Sequence, residues 1–256
     1  MKFTIKNQVF GEGVPKICVP LVATTKEGLV KEAQLAKDST CEVVEWRGDL
    51  FEAVHDVEAV LATLEELRKI LAEKLLLFTF RTIEEGGKRE FSLREYQGLY
   101  ETVAKSQQVD MLDVELGVAE FLGRGFIQKL KARKMVIVMS YHNFDKTPAD
   151  GEMVLKVSVM KQFGADMGKI SVMPHSLKDV LGLMNLSVKL QGLVELPLIL
   201  ISMGDLGKTT RISGELIQSV MTFGALTTAS APGQIPVEEL RNVLNVMKLE
   251  KSEEHG

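Results

Sequence analysis

Eight short β-rich runs alternate with eight longer segments of helical period along this chain, and that alternation restricts the fold more than any other feature. The runs fall at 16–21, 41–46, 75–80, 109–114, 135–140, 169–173, 198–202 and 222–226. The helical segments fall at 26–37, 57–71, 93–105, 119–131, 152–163, 176–190, 213–219 and 237–247. The clearest is 57–71, where Val57, Val60, Leu61, Leu64, Leu67 and Leu71 form one stripe. Ser92 and Ser176 stand where N-caps belong, and Pro236 suits a first helical turn. Strictly alternating strands and helices imply a parallel sheet covered by helices. Dividing 256 residues among eight units leaves 32 for each, the size of one strand–helix step. The expectation is an α/β fold, a (β/α)8 TIM barrel forming one catalytic domain over residues 1–256, with the residues before Lys16 making a β-hairpin across its bottom. No glycine-rich phosphate loop follows the first strand, where Leu21, Val22, Ala23, Thr24 and Thr25 stand, which argues against an open dinucleotide-binding sheet.

Lys plus Arg number 31 and Asp plus Glu 35, a net charge of −4. Such a chain offers no field for nucleic acid or an anionic membrane, so an anionic substrate must be held by local arginines. Residues 1–9 alternate apolar and polar and do not read as a leader peptide. The longest apolar run, 193–203, is interrupted by Glu195 and Pro197 and is too short to span a bilayer. Cys18 and Cys41 lie in strand-like runs without metal-ligand spacing to a histidine, and read as small buried hydrophobes in a reducing compartment. Residues 251–256 form a charged tail carrying a solvated His255. A cytoplasmic enzyme fits these features.

Side chains alternate between the two faces of a strand. In the sixth run Ile170 and Val172 therefore face the helices, and Lys169 and Ser171 the interior. In the fifth, Val136, Val138, Ser140 and His142 share one face; in the second, Val43, Glu45 and Arg47 do. Arg81 ends the third run in phase with Thr79 and Leu77. The fourth carries Asp110, Asp113 and Glu115, whose phase the pattern leaves open. Interior charges are costly unless paired, and the C-terminal rim of a barrel is where active sites are built. One such charge reads best as a rim salt bridge, but several at one mouth point to a site. Lys169 is the most informative. Burial and neighbouring arginines would disfavour its ammonium form and leave a nucleophilic amine. Such an amine forms an iminium with a ketone, and His142 on the adjacent strand is then a candidate general base. A satisfied core histidine is an equally good reading of His142 taken alone.

Further stretches carry a resemblance. They are Glu45 to Arg47, Phe80 to Gly87, Ser140 to Phe144, Lys169 to Pro174, Ile201 to Gly204, Thr222 to Ala225 and Ala229 to Gln234. In this order and spacing the chain resembles the type I 3-dehydroquinate dehydratases over nearly its whole length. The resemblance implies a lyase that converts 3-dehydroquinate to 3-dehydroshikimate in the shikimate pathway of aromatic amino acid and chorismate biosynthesis. It implies no metal or organic cofactor, a small-molecule substrate as partner, and a homodimer. By the same resemblance Lys169 is the Schiff-base lysine that attacks the C3 ketone. His142 takes a C2 proton and later protonates the departing C1 hydroxyl, and Glu85 orients it. Arg211 pairs with the substrate carboxylate, Glu45, Arg47 and Arg81 hold ring hydroxyls, and Met203 and Phe223 are apolar walls. Ser230 and Gln234 lie on the eighth loop, which closes over the ligand.

One departure is Pro20, at the end of the first strand, where the family pattern leads one to expect a serine; it is given no binding role. His175 reads as a loop residue before a helix cap, His55 as exposed at a helix start, and Met111, Met135, Met139, Met153, Met160, Met167 and Met173 as core filler. Two other functions remain compatible with the residues alone. A class I aldolase would use the same lysine for C–C cleavage, and a metabolite-binding barrel would use the charges without turnover.

Overall fold

The structure, a computed structural model, describes residues 2–227 and 231–250, leaving aside the side chain of Gln191. Eight parallel strands follow one another around a curled sheet. They are β3 (Lys16–Leu21), β4 (Val43–Arg47), β5 (Leu75–Thr79), β6 (Met111–Glu115), β7 (Val136–Asn143), β8 (Met167–Val172), β9 (Leu198–Ser202) and β10 (Met221–Ala225), with β10 pairing back onto β3. Between β9 and β10 the contact is narrow: one bridge, Leu198 with Ser219, and a hydrogen bond from Val220 N to Leu198 O of 2.9 Å. The two-residue strand β11 (Ile235–Pro236) pairs with the far end of β10, so the sheet has nine strands in all. The expected TIM-barrel architecture is thus present, with its seam at β9–β10.

Antiparallel β1 (Phe3–Ile5) and β2 (Gln8–Phe10) form the expected hairpin. Ile5 and Phe10 join an interior cluster with Cys18, Val43, Leu75, Met111, Met167, Val220 and Met221, all near the strand starts. The hairpin is therefore the floor of the barrel, as the sequence leads one to expect.

The helices are α1 (Lys26–Asp38), α2 (Val57–Leu71), α3 (Leu93–Ser106), α4 (Leu116–Leu122), α5 (Arg124–Ala132), α6 (Asp150–Phe163), α7 (Leu177–Leu193), α8 (Lys208–Ile212) and α9 (Val237–Val246). Local chemistry sets their starts. Asp56 accepts the Glu58 and Ala59 N–H groups at the head of α2, and full capping boxes, Ser92 with Glu95 and Ser176 with Asp179, open α3 and α7. On α2, Val60, Leu64, Leu67 and Leu71 are buried against the sheet. Two expectations are corrected. The continuous helix at 119–131 is two, parted at Gly123, whose φ of 79° suits glycine and breaks the ladder. The helix expected at 213–219 lies earlier, at Lys208–Ile212, because the chain must reach the bottom rim by Ser219; 213–219 runs as turns, and Gly214 packs against Pro15. Pro236 caps α9 from just outside it.

A repeated device ties the lower rim together. The carboxylate just before one strand accepts the N–H near the start of the strand before it: Glu42 from Ile17 (2.8 Å), Asp110 from Leu76 (2.8 Å) and Asp166 from Ile137 (2.8 Å). Each also pairs with a cation, Arg241, Arg68 and Lys131 in turn. This settles Asp110, which belongs to the rim opposite the mouth. No helix among the described residues is long and apolar enough to cross a membrane.

Because Phe10 is fully buried in the floor, Phe10→Ala should lower stability by about 3–5 kcal/mol. Urea unfolding monitored by circular dichroism should show the reduced midpoint, with the steady-state rate of the remaining folded protein unchanged.

Candidate active site

The interior of the barrel is layered by the two-residue period of its strands. Its lower layers are apolar: Cys18, Val43, Leu77, Met111, Val138, Met167, Ile199 and Met221. Two and four residues further along the same strands come Glu45 and Arg47, Thr79 and Arg81, Asp113 and Glu115, Ser140 and His142, Lys169 and Ser171. The register aligns Glu115 with Ser140 and Ser140 with Lys169, so adjacent strands bring these groups to one level. A cavity of about 400 Å³ opens above them at the C-terminal ends of the strands. It is lined by Glu45, Arg47, Arg81, Glu85, His142, Lys169, Met203, Arg211, Phe223 and Gln234, so ten of the eleven residues expected at the site face one space. The other, Ser230, lies outside the described residues.

Lys169 is 4 % exposed, and its Nζ lies 3.3 Å from Asp113 Oδ2, 3.9 Å from Glu45 Oε1 and 4.2 Å from the centroid of the Phe223 ring. Its charged neighbours within 4 Å are therefore carboxylates, where the sequence suggested nearby arginines. Arg81 is engaged elsewhere: it donates to Asp113 (2.9 Å), Glu115 (3.0 Å), Ser140 (2.9 Å) and Glu85 (3.4 Å). Burial alone would raise the proton affinity of Asp113, but the charges of Arg81 and Lys169 and the Ser140 hydroxyl outweigh it and hold the carboxyl below its usual range. Burial works against the Arg81 cation too, and there the carboxylates of Asp113, Glu115, Glu85 and Glu45 win, keeping the guanidinium firmly charged.

Three donors converge on Glu85 Oε2: the His142 backbone N–H (3.0 Å), His142 Nδ1 (2.8 Å) and Arg81 Nη1 (3.4 Å). With Glu85 ionised, Nδ1 carries the proton of a neutral ring and the Nε2 lone pair is left to the cavity. Burial, reinforced by the positive charges of Arg81, Lys169 and Arg47, holds His142 well below the usual imidazole range. Burial and the nearby Glu115 push Glu85 well above the usual carboxylate range.

The turn that presents Glu85 explains the glycines after it. Gly86 adopts φ 87°, and a Cβ there would lie 2.6 Å from the Phe144 ring; at Gly87 a Cβ would lie 1.8 Å from Arg81 O. Only glycine at both positions lets the turn fold back so that Gly87 N–H reaches Thr82 O at 2.7 Å.

Arg47 is fixed by two 2.8 Å hydrogen bonds to Asp49 in the turn after β4. Arg211 comes from α8 and is 1 % exposed. It donates to Phe223 O (3.3 Å) and Pro232 O (3.0 Å), and its Nε is buried without a partner. No carboxylate among the described residues pairs with it, and burial lowers its pKa to about 10. An uncompensated guanidinium at the cavity wall fits an incoming carboxylate. Among the described residues no group of His, Cys, Asp and Glu is arranged to hold a metal ion.

Sequence reasoning left Asp113 and Glu115 unplaced, put Ser140 on the inward face without a role, and did not identify Asp49 or Lys88 as neighbours of the site. Asp110 and Asp113 are three apart and so of opposite phase; the pairing of Asp113 with Val138 and Thr79 shows which one faces inward. Pro20 is buried and aligned with Glu45, and it offers no polar group to the cavity.

The model of the family described as type I 3-dehydroquinase matches residues 17–251. The 3-dehydroquinate dehydratase of Listeria innocua is 45 % identical over 246 residues, covering 96 % of this chain and 98 % of that protein. That of Bacillus subtilis is 39 % identical, with 95 % and 96 % covered. The crystal structure of a type I 3-dehydroquinate dehydratase from Clostridium difficile with covalently modified comenic acid superimposes with a TM-score of 0.93, at 38 % identity over 96 % of this chain and 98 % of that one.

The depressed proton affinity of His142 has a consequence for stability. The unfolded chain binds a proton at this ring near pH 6.5 whereas the folded chain does not, so stability is lost as pH falls below that value. The drop in urea midpoint from about pH 7.5 to about pH 5.5 should be smaller in His142→Asn than in the parent protein.

Proposed function

The chain belongs to the type I 3-dehydroquinases and is a hydro-lyase that dehydrates 3-dehydroquinate; from that premise we propose that it does so through a Schiff base on Lys169, with His142 moving the protons. The observation that carries the reading is the convergence on one cavity of an interior lysine, an imidazole held against Glu85 and an arginine with no carboxylate partner among the described residues.

Arg211 takes the substrate carboxylate, and Glu45, Arg47 and Arg81 take the ring hydroxyls. The Lys169 ammonium passes a proton to water, and the resulting amine adds to the C3 ketone. The carbinolamine loses water, and the resulting iminium withdraws electrons from the C2–H bond. His142 Nε2 accepts the C2 proton, and the electron pair moves through the enamine. As the C1–O bond breaks, the imidazolium returns that proton to the departing hydroxyl, which leaves as water. Hydrolysis of the new conjugated iminium restores Lys169 and releases 3-dehydroshikimate, so the net change is the loss of one water. Glu85 keeps the Nδ1–H side of the ring occupied and Nε2 aimed at the reacting carbon. Met203 and Phe223 form the apolar wall. Ala231 and Gln234 border the cavity on the side of the eighth loop and help keep water from the iminium. The product serves the shikimate pathway toward chorismate and the aromatic amino acids.

Sodium borohydride added with 3-dehydroquinate should reduce the iminium and leave substrate mass on the peptide containing Lys169. Native protein that turns over substrate without such an adduct would defeat the mechanism. Lys169→Ala should lose both adduct and turnover, read by the ultraviolet absorbance of the conjugated ketone. His142→Ala should still form some adduct but lower kcat about 10²–10⁴-fold. Arg211→Ala should act mainly through a raised KM.

A further inference from the structure

Asp113 is buried more completely than any carboxylate that the proposed mechanism uses, and it touches the reacting atom. Its side chain has no exposed surface. Oδ2 lies 3.3 Å from Lys169 Nζ, while Oδ1 accepts from Arg81 Nη2 at 2.9 Å and Ser140 Oγ at 2.6 Å. We propose that Asp113 is the counter-ion of the nitrogen on Lys169 throughout the reaction, an anion whose role is to keep the imine protonated; this rests on the Schiff-base reading above.

Several groups face Nζ. Asp113 approaches from β6, Glu45 from β4, His142 from β7, Arg81 from the end of β5, Cys18 from β3 and the Phe223 ring from β10. Two of these are acids. Glu45 is the more distant at 3.9 Å, and its nearer oxygen already accepts the Thr79 hydroxyl at 2.8 Å. Glu45 also lines the cavity and is available to substrate. Asp113 is not among the residues lining the cavity, so it can serve the amine without competing for the ligand. Arg81 and Ser140 hold it in place and favour its ionised form, which makes it a poor proton acceptor and a persistent negative charge.

A persistent charge is what the nitrogen requires. The ammonium of the resting lysine and the iminium of the covalent intermediate each carry one positive charge at nearly the same point. At a nitrogen on a side chain this buried, a single buried carboxylate can balance both. The electron sink operates only while the imine nitrogen keeps its proton; a neutral imine draws electrons from C2–H much more weakly. Loss of the carboxylate charge therefore lowers the pH at which the iminium gives up that proton, and the alkaline limb of kcat moves toward neutrality.

Asp113→Asn keeps the shape and removes the charge. Its kcat near neutral pH should fall at least about tenfold, and the alkaline limb of the kcat–pH profile should move down by about one unit or more. Borohydride should still attach substrate mass to Lys169, because the amine remains. A purely structural role would reduce the folded fraction or kcat and leave the limb in place. Ser140→Ala, which retains the carboxylate and removes one of its donors, should shift the same limb in the same direction by a smaller amount. It decides the matter if Asp113→Asn does not fold. A folded Asp113→Asn, or failing that Ser140→Ala, with the parental limb would overturn the counter-ion assignment while leaving the imine intact. Absence of any adduct in the parent protein would instead reject the Schiff base itself.

Discussion

The interior of this barrel depends on one fully buried carboxylate. Asp113 receives Arg81, Ser140 and Lys169, and its backbone carbonyl receives the Tyr100 hydroxyl at 2.5 Å. Arg81 comes from just beyond β5, Ser140 and Lys169 from within β7 and β8, and Tyr100 from α3. A network of this kind is not a large source of stability, since desolvating the charges consumes most of what their attraction returns. Its effect is on specificity of arrangement. Removing one member leaves another buried charge unpaired, so every lateral shift of these strands that separates Arg81 from its acids is strongly opposed.

That requirement explains why the polar residues sit above an apolar floor. Below Asp113 and Lys169, the hairpin residues Ile5 and Phe10 and the first inward residues of the strands exclude water from beneath the charges. The carboxylates of Glu42, Asp110 and Asp166 meanwhile secure strand starts at the lower rim. Stability and register are handled at one end of the strands, and the groups able to do chemistry are collected at the other.

The seam between β9 and β10 gives the site its remaining cation. Among the described residues the two strands are bridged at Leu198 and Ser219, and Pro232 lies against Gly204 and Arg211. Gly204 N–H donates to Pro232 O at 3.2 Å, and Gly233, at φ 77°, lies so close to Gly204 that a Cβ would come within 2.3 Å of its carbonyl. Arg211 spans this region by donating to Phe223 O and Pro232 O. Arg211, which lines the cavity, thus also joins β10 to the chain around Pro232.

Alternation of apolar runs was enough to read the strands, most of the helices, the hairpin floor and the inward phase of Lys169, His142, Glu45 and Arg81, because side-chain direction follows from a two-residue period within each strand. Gly123 and the helix at Lys208–Ile212 were misread because short helices carry too few turns to display a period. Arg211 and Glu85 were identifiable only through resemblance, since both come from connecting segments whose course no local pattern describes. Periodicity determined which side chains face inward; the register between strands decided which of them meet. That is why Asp113, of uncertain phase in the sequence, is the acid at Lys169, and why the lysine's ion-pair partners are carboxylates: pairing across a sheet depends on the relative shift of segments far apart in the chain, and no single segment encodes it.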